Sequence, residues 1–271
     1  MRKQHSQVKK ILAMTEKDID KISAVDVVIR TFNSDRLLQK CISSIRSLLP
    51  VNRLIVVDHY STDRTVPVAR SYGAEIYFED RGLGYATSLG ASLANTEYTL
   101  FIDSDVIVTN ADFYRDAVKF FSDYRTGAVV GVERNHPFHY GLPLGLTLFK
   151  SEFIKSVDIP EYTMGRETYF IQKAISRRKL KIKYLSDAMV HDSIYRSWNR
   201  WPEWQGAQIR FCAGLNPWQL VDSFFVVLLM HMNSKKPKNI LYTPLFYLKL
   251  LRGFLFPFKW GYLDRRKIKL S

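Results

Sequence analysis

The chain is poor in cysteine and in long apolar runs, and each shortage excludes a class of protein. Cys41 and Cys212 are the only cysteines in 271 residues. Two distant thiols support neither a disulfide framework nor a cysteine-ligated zinc site, so a reducing, cytosolic setting is the default expectation. A membrane-spanning helix needs about 20 mostly apolar residues. The most apolar stretches, 220–232 and 241–258, are short or are interrupted by charge and proline, so neither is expected to span a bilayer.

Negative charge is also scarce, above all at the end of the chain. The formal net charge is +14, and the segment from Lys235 onward has ten basic residues against one acidic residue, Asp264. Such a segment is expected to bind a polyanion, either nucleic acid or an anionic membrane surface. The first six residues are basic but lack the apolar run of a secretory signal, so no signal peptide is predicted.

What the sequence does contain is an alternation of strand-like and helical segments. The strand-like runs at the start of the chain are 25–30, 53–57, 75–78 and 98–102. Strands that alternate with helices indicate βαβ units, so we predict an α/β fold with a mostly parallel, doubly wound sheet. We expect a lead-in segment over 1–23, an α/β domain over 24–197, and an aromatic, basic, amphipathic helical extension over 198–271.

Two carboxylates stand at the point where a buried strand should end. Asp103 and Asp105 directly follow the apolar run 98–102, and side chains two residues apart in an extended chain point the same way. Oxygen ligands of this kind suit Mg²⁺ or Mn²⁺, although a loop with two solvated aspartates has the same pattern. Other polar side chains follow the neighbouring predicted strands, at Asn33, Asp58 and Arg81. Ligands of parallel sheets bind beyond these strand ends.

Five short motifs, taken in order, resemble those of the family 2 glycosyltransferases. They are the strand and loop 27–33, the segment 56–65, the glycine-containing segment that begins at 82, the pair Asp103 and Asp105, and the segment 165–167. The resemblance covers about residues 25–191. It implies a GT-A fold, in which a Rossmann-like nucleotide-binding half and an acceptor-binding half form one continuous domain.

The resemblance also implies which residues bind a nucleotide-sugar donor. Thr31, Phe32 and Asn33 would lie beside the base and the ribose. Asp58 would accept a hydrogen bond from the base, and Arg81 would approach the phosphates or the base.

A metal, Mn²⁺ or Mg²⁺, is implied by the same resemblance. Asp105 would ligate the ion that bridges the two phosphates, and Asp103 would contact the ribose or a metal-bound water. His191 follows a predicted strand and could ligate the metal or contact the diphosphate, although a lone histidine is more often structural.

Glu167 is the candidate general base of the implied reaction, because an attacking sugar hydroxyl must lose a proton and a carboxylate within reach can accept it. The family motif has two acidic residues, and here Arg166 replaces the first of them. Glu161 is therefore the alternative base. A solvated residue in the first turn of a helix would also be a common place for a glutamate.

The sequence therefore predicts a metal-dependent, inverting glycosyltransferase. It would move a sugar from a UDP- or GDP-sugar to a lipid-linked or polysaccharide-precursor acceptor, at the cytoplasmic face of the cell membrane. The extension would bind the anionic membrane surface, or else pack on the domain or on a second copy. Alternatives are a polyprenyl-phosphate glycosyltransferase without a base, a sugar-nucleotide pyrophosphorylase, an inactive scaffold, and a basic nucleic-acid-binding protein. No nucleic-acid partner is expected, because no recognition motif is present.

Overall fold

A computed structural model describes residues 23–134, 141–161, 163, 165–192, 201–232 and 237–257. Residues 1–22 of the predicted lead-in segment and much of the basic tail lie outside the described residues. Within the described residues, no helix is both long enough and apolar enough to cross a membrane.

Nine strands form two sheets in the part of the chain that the structure describes. The strands are β1 (Val25–Thr31), β2 (Val51–Asp58), β3 (Glu75–Phe78), β4 (Tyr98–Asp103), β5 (Val106–Val108), β6 (Thr126–Gly131), β7 (Leu146–Lys150), β8 (Lys181–Leu185) and β9 (Met189–His191). Seven of them form a sheet with the order β3–β2–β1–β4–β7–β6–β8, and β5 pairs with β9. Strands β1 to β4 are parallel, whereas β7 runs antiparallel to both β4 and β6.

Helices cover both faces of the large sheet. The described helices are α1 (Asp35–Leu48), α2 (Thr65–Ser71), α3 (Leu83–Leu93), α4 (Phe113–Phe120), α5 (Ser151–Lys155), α6 (Glu167–Arg177), α7 (Trp201–Ala213), α8 (Pro217–Met232) and α9 (Thr243–Leu255), with a 3₁₀ helix at Pro237–Tyr242. The predicted α/β class, the mostly parallel sheet and the helical extension are therefore confirmed. The division into segments 1–23, 24–197 and 198–271 stays a prediction.

The central strands are buried on both faces, which explains their continuous apolar sequence. On β1, Val27 and Ile29 belong to the core beneath α1 and α4, whereas Val28 belongs to the core beneath α3 and α6. Successive side chains of a strand point to opposite faces, so a single strand contributes to both cores.

One helix boundary differs from the sequence-based expectation. Ser61, Thr62 and Asp63 are residue types that often begin a helix, and the sequence predicts a helix from Ser61. The helix begins only at Thr65, because Asp63 forms a turn and its Oδ1 accepts a hydrogen bond from the Thr65 backbone at 2.9 Å. Aspartate side chains commonly bond to the backbone two residues on, and this geometry competes with helix formation.

Two glycines bring the extension helices α7 and α9 into direct contact. A Cβ atom at Gly206 would collide with the backbone carbonyl of Leu250, and one at Gly253 would collide with that of Glu203. Ile209, Leu250 and Phe254 form a small apolar core beside this contact.

Candidate active site

Arg30 connects two carboxylates that are far apart in the chain. It lies on β1 opposite Asp103 of β4 in the parallel register. Its Nη2 donates to Asp103 Oδ1 at 2.8 Å, and its Nη1 donates to Glu167 Oε1 at 2.6 Å. The side chains of Arg30 and Glu167 are only 6% and 5% exposed. The carboxyl end of β4 and the first residue of α6 are therefore joined by one buried cation.

Arg30 stays charged in this position. Burial alone would lower the pKa of its guanidinium, but the neighbouring Glu167 and Asp103 carboxylates raise that pKa above its usual range. We did not predict Arg30 as a site residue. The sequence does contain an indication of its role, because a charged residue inside the apolar run of β1 needs a partner if it is buried. The sequence could not identify that partner.

Glu167 has one carboxylate oxygen that is still available. Its Oε1 is held by Arg30, whereas its Oε2 is buried and has no hydrogen-bond partner in the described part of the chain. It is the first residue of α6, where the helix dipole stabilises negative charge. The alternative base, Glu161, is exposed and pairs with Arg81 at 2.9 Å. The geometry therefore favours Glu167 over Glu161 as a proton acceptor.

The three predicted metal ligands come together at the end of β4. One ligand atom each from Asp103, Asp105 and His191 lies within 4.8 Å of the others. The pairing of β5 with β9 places His191 opposite Val106, next to Asp105. Two carboxylates and one imidazole match the donor preferences of Mn²⁺, and the carboxylates also suit Mg²⁺. The residues present therefore fit the predicted ion.

Glu133 contacts both the backbone and the imidazole ring of His191. Its Oε1 accepts a hydrogen bond from the His191 backbone at 2.8 Å and lies 3.5 Å from the ring Nδ1. A carboxylate in this place can orient an imidazole ligand through its second ring nitrogen.

The Asp58 side chain joins Thr31 at the end of β1 to Ser61 in the loop after β2. It is fully buried, and its Oδ1 accepts a hydrogen bond from the Ser61 backbone at 2.7 Å. Its Oδ2 accepts from Thr31 Oγ1 at 2.7 Å and from Ser61 Oγ at 2.6 Å. Both oxygens are occupied, so the predicted hydrogen bond from a base to Asp58 would have to replace one of these contacts. That role stays a prediction.

The other predicted donor-binding residues line the loops after β1 and β3. Asn33 has a positive φ of 48°, and its Oδ1 accepts a hydrogen bond from the Thr62 backbone at 2.9 Å. The Phe32 ring contacts His59 edge to face at 5.4 Å. Arg81 is half exposed, and its guanidinium lies 4.5 Å from the centre of the Tyr85 ring. No hydrogen bond joins Arg81 to the Arg30 network among the described residues.

The fold and site correspond to a known family. Residues 26–179 match the family described as Glycosyl transferase family 2. The chain belongs to this family. The family is the one that the five motifs predicted, so that prediction is confirmed.

Curated relatives of this family 2 glycosyltransferase are distant. It is 26% identical over 124 residues to the 4,4'-diaponeurosporenoate glycosyltransferase of Staphylococcus haemolyticus, covering 43% of this chain and 32% of the relative. It is 24% identical over 208 residues to the O-antigen chain rhamnosyltransferase RfbN of Salmonella typhimurium, covering 62% and 66%. The alignments thus span less than two thirds of either relative.

Solved structures share the fold more completely. The mannosyltransferase PcManGT from Pyrobaculum calidifontis, solved with GDP-Man and Mn²⁺, superposes with a TM-score of 0.64 at 17% identity, covering 88% of both chains. The glucosyl-3-phosphoglycerate synthase of Mycobacterium tuberculosis, solved with Mn²⁺ and UDP, gives a TM-score of 0.57 at 20% identity, covering 73% of this chain and 83% of that one. The predicted GT-A fold is confirmed.

Proposed function

We propose that this family 2 glycosyltransferase is metal-dependent and inverting, and that it moves a sugar from a UDP- or GDP-sugar to a hydroxyl of a lipid-linked or polysaccharide-precursor acceptor. The observation that carries the proposal is the link made by Arg30. Through it, a buried glutamate with an open oxygen lies close to a cluster of two aspartates and a histidine.

The donor site would be built around Asp103, Asp105 and His191, which would hold Mn²⁺ or Mg²⁺. The ion, when bound, stabilises the negative charge of the diphosphate leaving group. The two solved structures above carry GDP-Man with Mn²⁺ and UDP with Mn²⁺, which supports a nucleotide-sugar donor of the same kind.

Glu167 Oε2 would accept the proton of the acceptor hydroxyl. As that proton leaves, the hydroxyl oxygen bonds to the anomeric carbon, and the bond from that carbon to the diphosphate breaks with its electron pair on the leaving oxygen. One displacement inverts the anomeric configuration. Arg30 holds the Glu167 carboxylate in place through a hydrogen bond, so the base is positioned before the acceptor arrives.

The proposed acceptor places the enzyme at the cytoplasmic face of the membrane, and the helical extension supports that location. Exposed apolar side chains recur at intervals of three, four or seven residues along α8 and α9, which is the spacing of one helix face. They are Trp218, Val221, Phe225, Leu229 and Met232 on α8, and Leu245, Leu248 and Leu255 on α9. This apolar face, together with the basic segment from Lys235, suits the interface of an anionic bilayer. A second copy would bring two strongly positive segments together.

The donor assignment is tested by thermal unfolding with a panel of UDP- and GDP-sugars, each with and without Mn²⁺. A donor at 100 times its Kd stabilises the folded state by about 2.7 kcal/mol. For a chain of this size that corresponds to a rise in Tm of roughly 5–10 °C. Absence of a metal-dependent shift with every nucleotide-sugar would contradict the proposal.

The base is tested by Glu167→Gln, with Glu161→Gln as the matched control. We expect Glu167→Gln to lower kcat by about 10²–10⁴-fold and to leave donor binding unchanged, whereas Glu161→Gln keeps near wild-type activity. Full activity of Glu167→Gln would instead favour the alternative acceptor, a polyprenyl phosphate, which needs no deprotonation.

A further inference from the structure

His59 follows β2, and a buried carboxylate holds its imidazole ring in one orientation. The ring Nδ1 lies 2.7 Å from Glu79 Oε1, and the Glu79 side chain is only 2% exposed. The other oxygen of Glu79 accepts hydrogen bonds from the Arg81 backbone at 2.8 Å and from the Gly82 backbone at 2.6 Å. Glu79 is therefore fixed through both of its oxygens, and it fixes the imidazole in turn.

The contact with Glu79 also decides which ring nitrogen of His59 is able to bind a ligand. A carboxylate oxygen only accepts hydrogen bonds, so Nδ1 carries a proton and donates it to Glu79. In the neutral ring, Nε2 is then unprotonated and is a hydrogen-bond acceptor. No residue in the described part of the chain bonds to Nε2, and this atom is open to solvent rather than sealed in the core. The ring therefore presents an oriented acceptor at the protein surface.

Asp58, the preceding residue, does not offer such an acceptor in the observed geometry. Its side chain is fully buried, and both of its oxygens already accept hydrogen bonds from Thr31 and Ser61. His59 is therefore the side chain after β2 that can accept a hydrogen bond from a ligand without breaking a contact within the protein.

The position of His59 in the sheet suits the far end of a nucleotide whose diphosphate lies at the metal-ligand cluster. That cluster stands at the end of β4, and β1 and β2 are the next two strands, all parallel, so their carboxyl ends share one edge. The backbone of His59 donates to the Thr31 carbonyl at 2.9 Å, which keeps it at this edge. Two strand spacings, about 10 Å, then separate it from the cluster, a span that a ribose and a base can bridge. The Phe32 ring beside the imidazole adds an aromatic surface, on which bases stack well.

We propose that His59 recognises the nucleobase of the donor by accepting, at Nε2, a hydrogen bond from the ring N–H of uracil or guanine. Glu79 is the positioning residue that fixes the required tautomer. The proposal rests on the proposed function, in which the donor diphosphate lies at the metal-ligand cluster. Uracil carries the N–H at N3 and guanine carries it at N1, whereas N3 of cytosine and N1 of adenine are themselves acceptors. Two acceptors that face each other both stay unpaired, so donors with cytosine or adenine are rejected.

The test compares nucleotides whose ring N–H is blocked by a methyl group with their unmethylated parents. The full chain with Mn²⁺ is titrated calorimetrically with UDP, 3-methyl-UDP, GDP and 1-methyl-GDP. The variant is His59→Asn, because an asparagine amide can take the place of Nδ1 and donate to Glu79 but has no atom in the place of Nε2. The matched control is His231→Asn on α8, whose Nδ1 also contacts a side chain, Thr243 Oγ1 at 2.7 Å.

We expect methylation to weaken binding of the preferred nucleotide by at least about 10-fold in the wild type and in His231→Asn. His59→Asn should bind the unmethylated nucleotide about 10-fold more weakly than the wild type does, and methylation should then change its affinity by less than about 3-fold. Equal affinity of the wild type for a nucleotide and its methylated form would overturn the proposal. A methyl effect of unchanged size in His59→Asn would overturn it as well.

The same titrations separate this proposal from the proposed function. If neither UDP nor GDP binds the wild type with Mn²⁺, the donor site itself is wrong and the role of His59 falls with it. If either nucleotide binds but methylation has no effect, the donor site stands and only the role of His59 is refuted.

Two further measurements separate base recognition from a structural role of His59. CDP and ADP should bind the wild type at least about 10-fold more weakly than the preferred nucleotide, and His59→Asn should narrow that difference. Equal affinity of the wild type for all four nucleotides would refute the proposal. Thermal unfolding without nucleotide provides the second measurement. A lower Tm of His59→Asn with base selectivity unchanged would assign His59 to the fold alone.

Discussion

Replacing Arg30 by methionine should test whether the buried link between Asp103 and Glu167 holds the active site together. The two side chains have similar length, so the main change is the loss of charge. Glu167 then becomes a buried carboxylate without a hydrogen-bonded counter-ion, because its other oxygen already lacks a partner. Removing one partner from a buried ion pair costs about 3–5 kcal/mol. Asp103 is 40% exposed and remains solvated, so most of the cost falls on Glu167.

The size and the pH dependence of the loss can both be measured. For a chain of this length, the Tm should fall by roughly 6–20 °C at pH 7. An isolated buried carboxylate reduces its cost by binding a proton. The folded variant then holds a proton that the unfolded chain releases above about pH 4.3, so its stability should fall as the pH rises. The deficit relative to the wild type should therefore be smaller at pH 5 than at pH 7.

Urea denaturation at both pH values measures this difference. Arg134→Met is the control, because it removes an exposed ion pair with Asp187 and should change stability little. The double variant Arg30→Met/Glu167→Gln should recover part of the loss, since no charge is then stranded. A loss below about 1 kcal/mol at pH 7, or one that does not depend on pH, would refute the view that Arg30 neutralises Glu167.

Three further variants test other parts of the site and the extension. Asp105→Ala should abolish the Mn²⁺-dependent rise in Tm while leaving the metal-free Tm nearly unchanged; a retained metal response would exclude Asp105 as a ligand. Gly165→Ala should lower stability by about 1–3 kcal/mol in urea denaturation, because its methyl group would collide with Trp204, and wild-type stability would show that the ring can move away. Leu248→Glu should reduce sedimentation with anionic phospholipid vesicles and leave the Tm unchanged; undiminished sedimentation would exclude the apolar face as the contact.

The sequence was most informative where the signal is local. A continuous apolar run that ends in Asp103 and Asp105 is enough to predict a buried strand with carboxylates at its end. The order of the motifs then predicted the family. The metal cluster needed one further element, the pairing of β5 with β9, which brings His191 to Asp105 from 86 positions away in the sequence.

The features that were missed depend on contacts between distant segments. Nothing in the sequence near Arg30 indicates that its partner is Glu167, since that contact forms only when α6 packs beside the end of β1. The antiparallel placement of β7 between β4 and β6 was also not predicted, because an apolar run does not reveal strand direction. The packing of Trp204 on Gly165 likewise depends on a helix outside the segment that the motifs cover.

The glycine contacts of the extension have a geometric consequence. Gly206 and Gly253 lock α7 against α9, and Trp204 of α7 rests on Gly165, two residues before Glu167. These contacts connect the apolar face of α9 to the first turn of α6 through α7. An enzyme anchored in a bilayer through α9 would therefore hold its base at a set height above the lipid headgroups. Acceptors whose hydroxyl stands at that height above the headgroups would reach Glu167, whereas acceptors whose hydroxyl stands lower or higher would not.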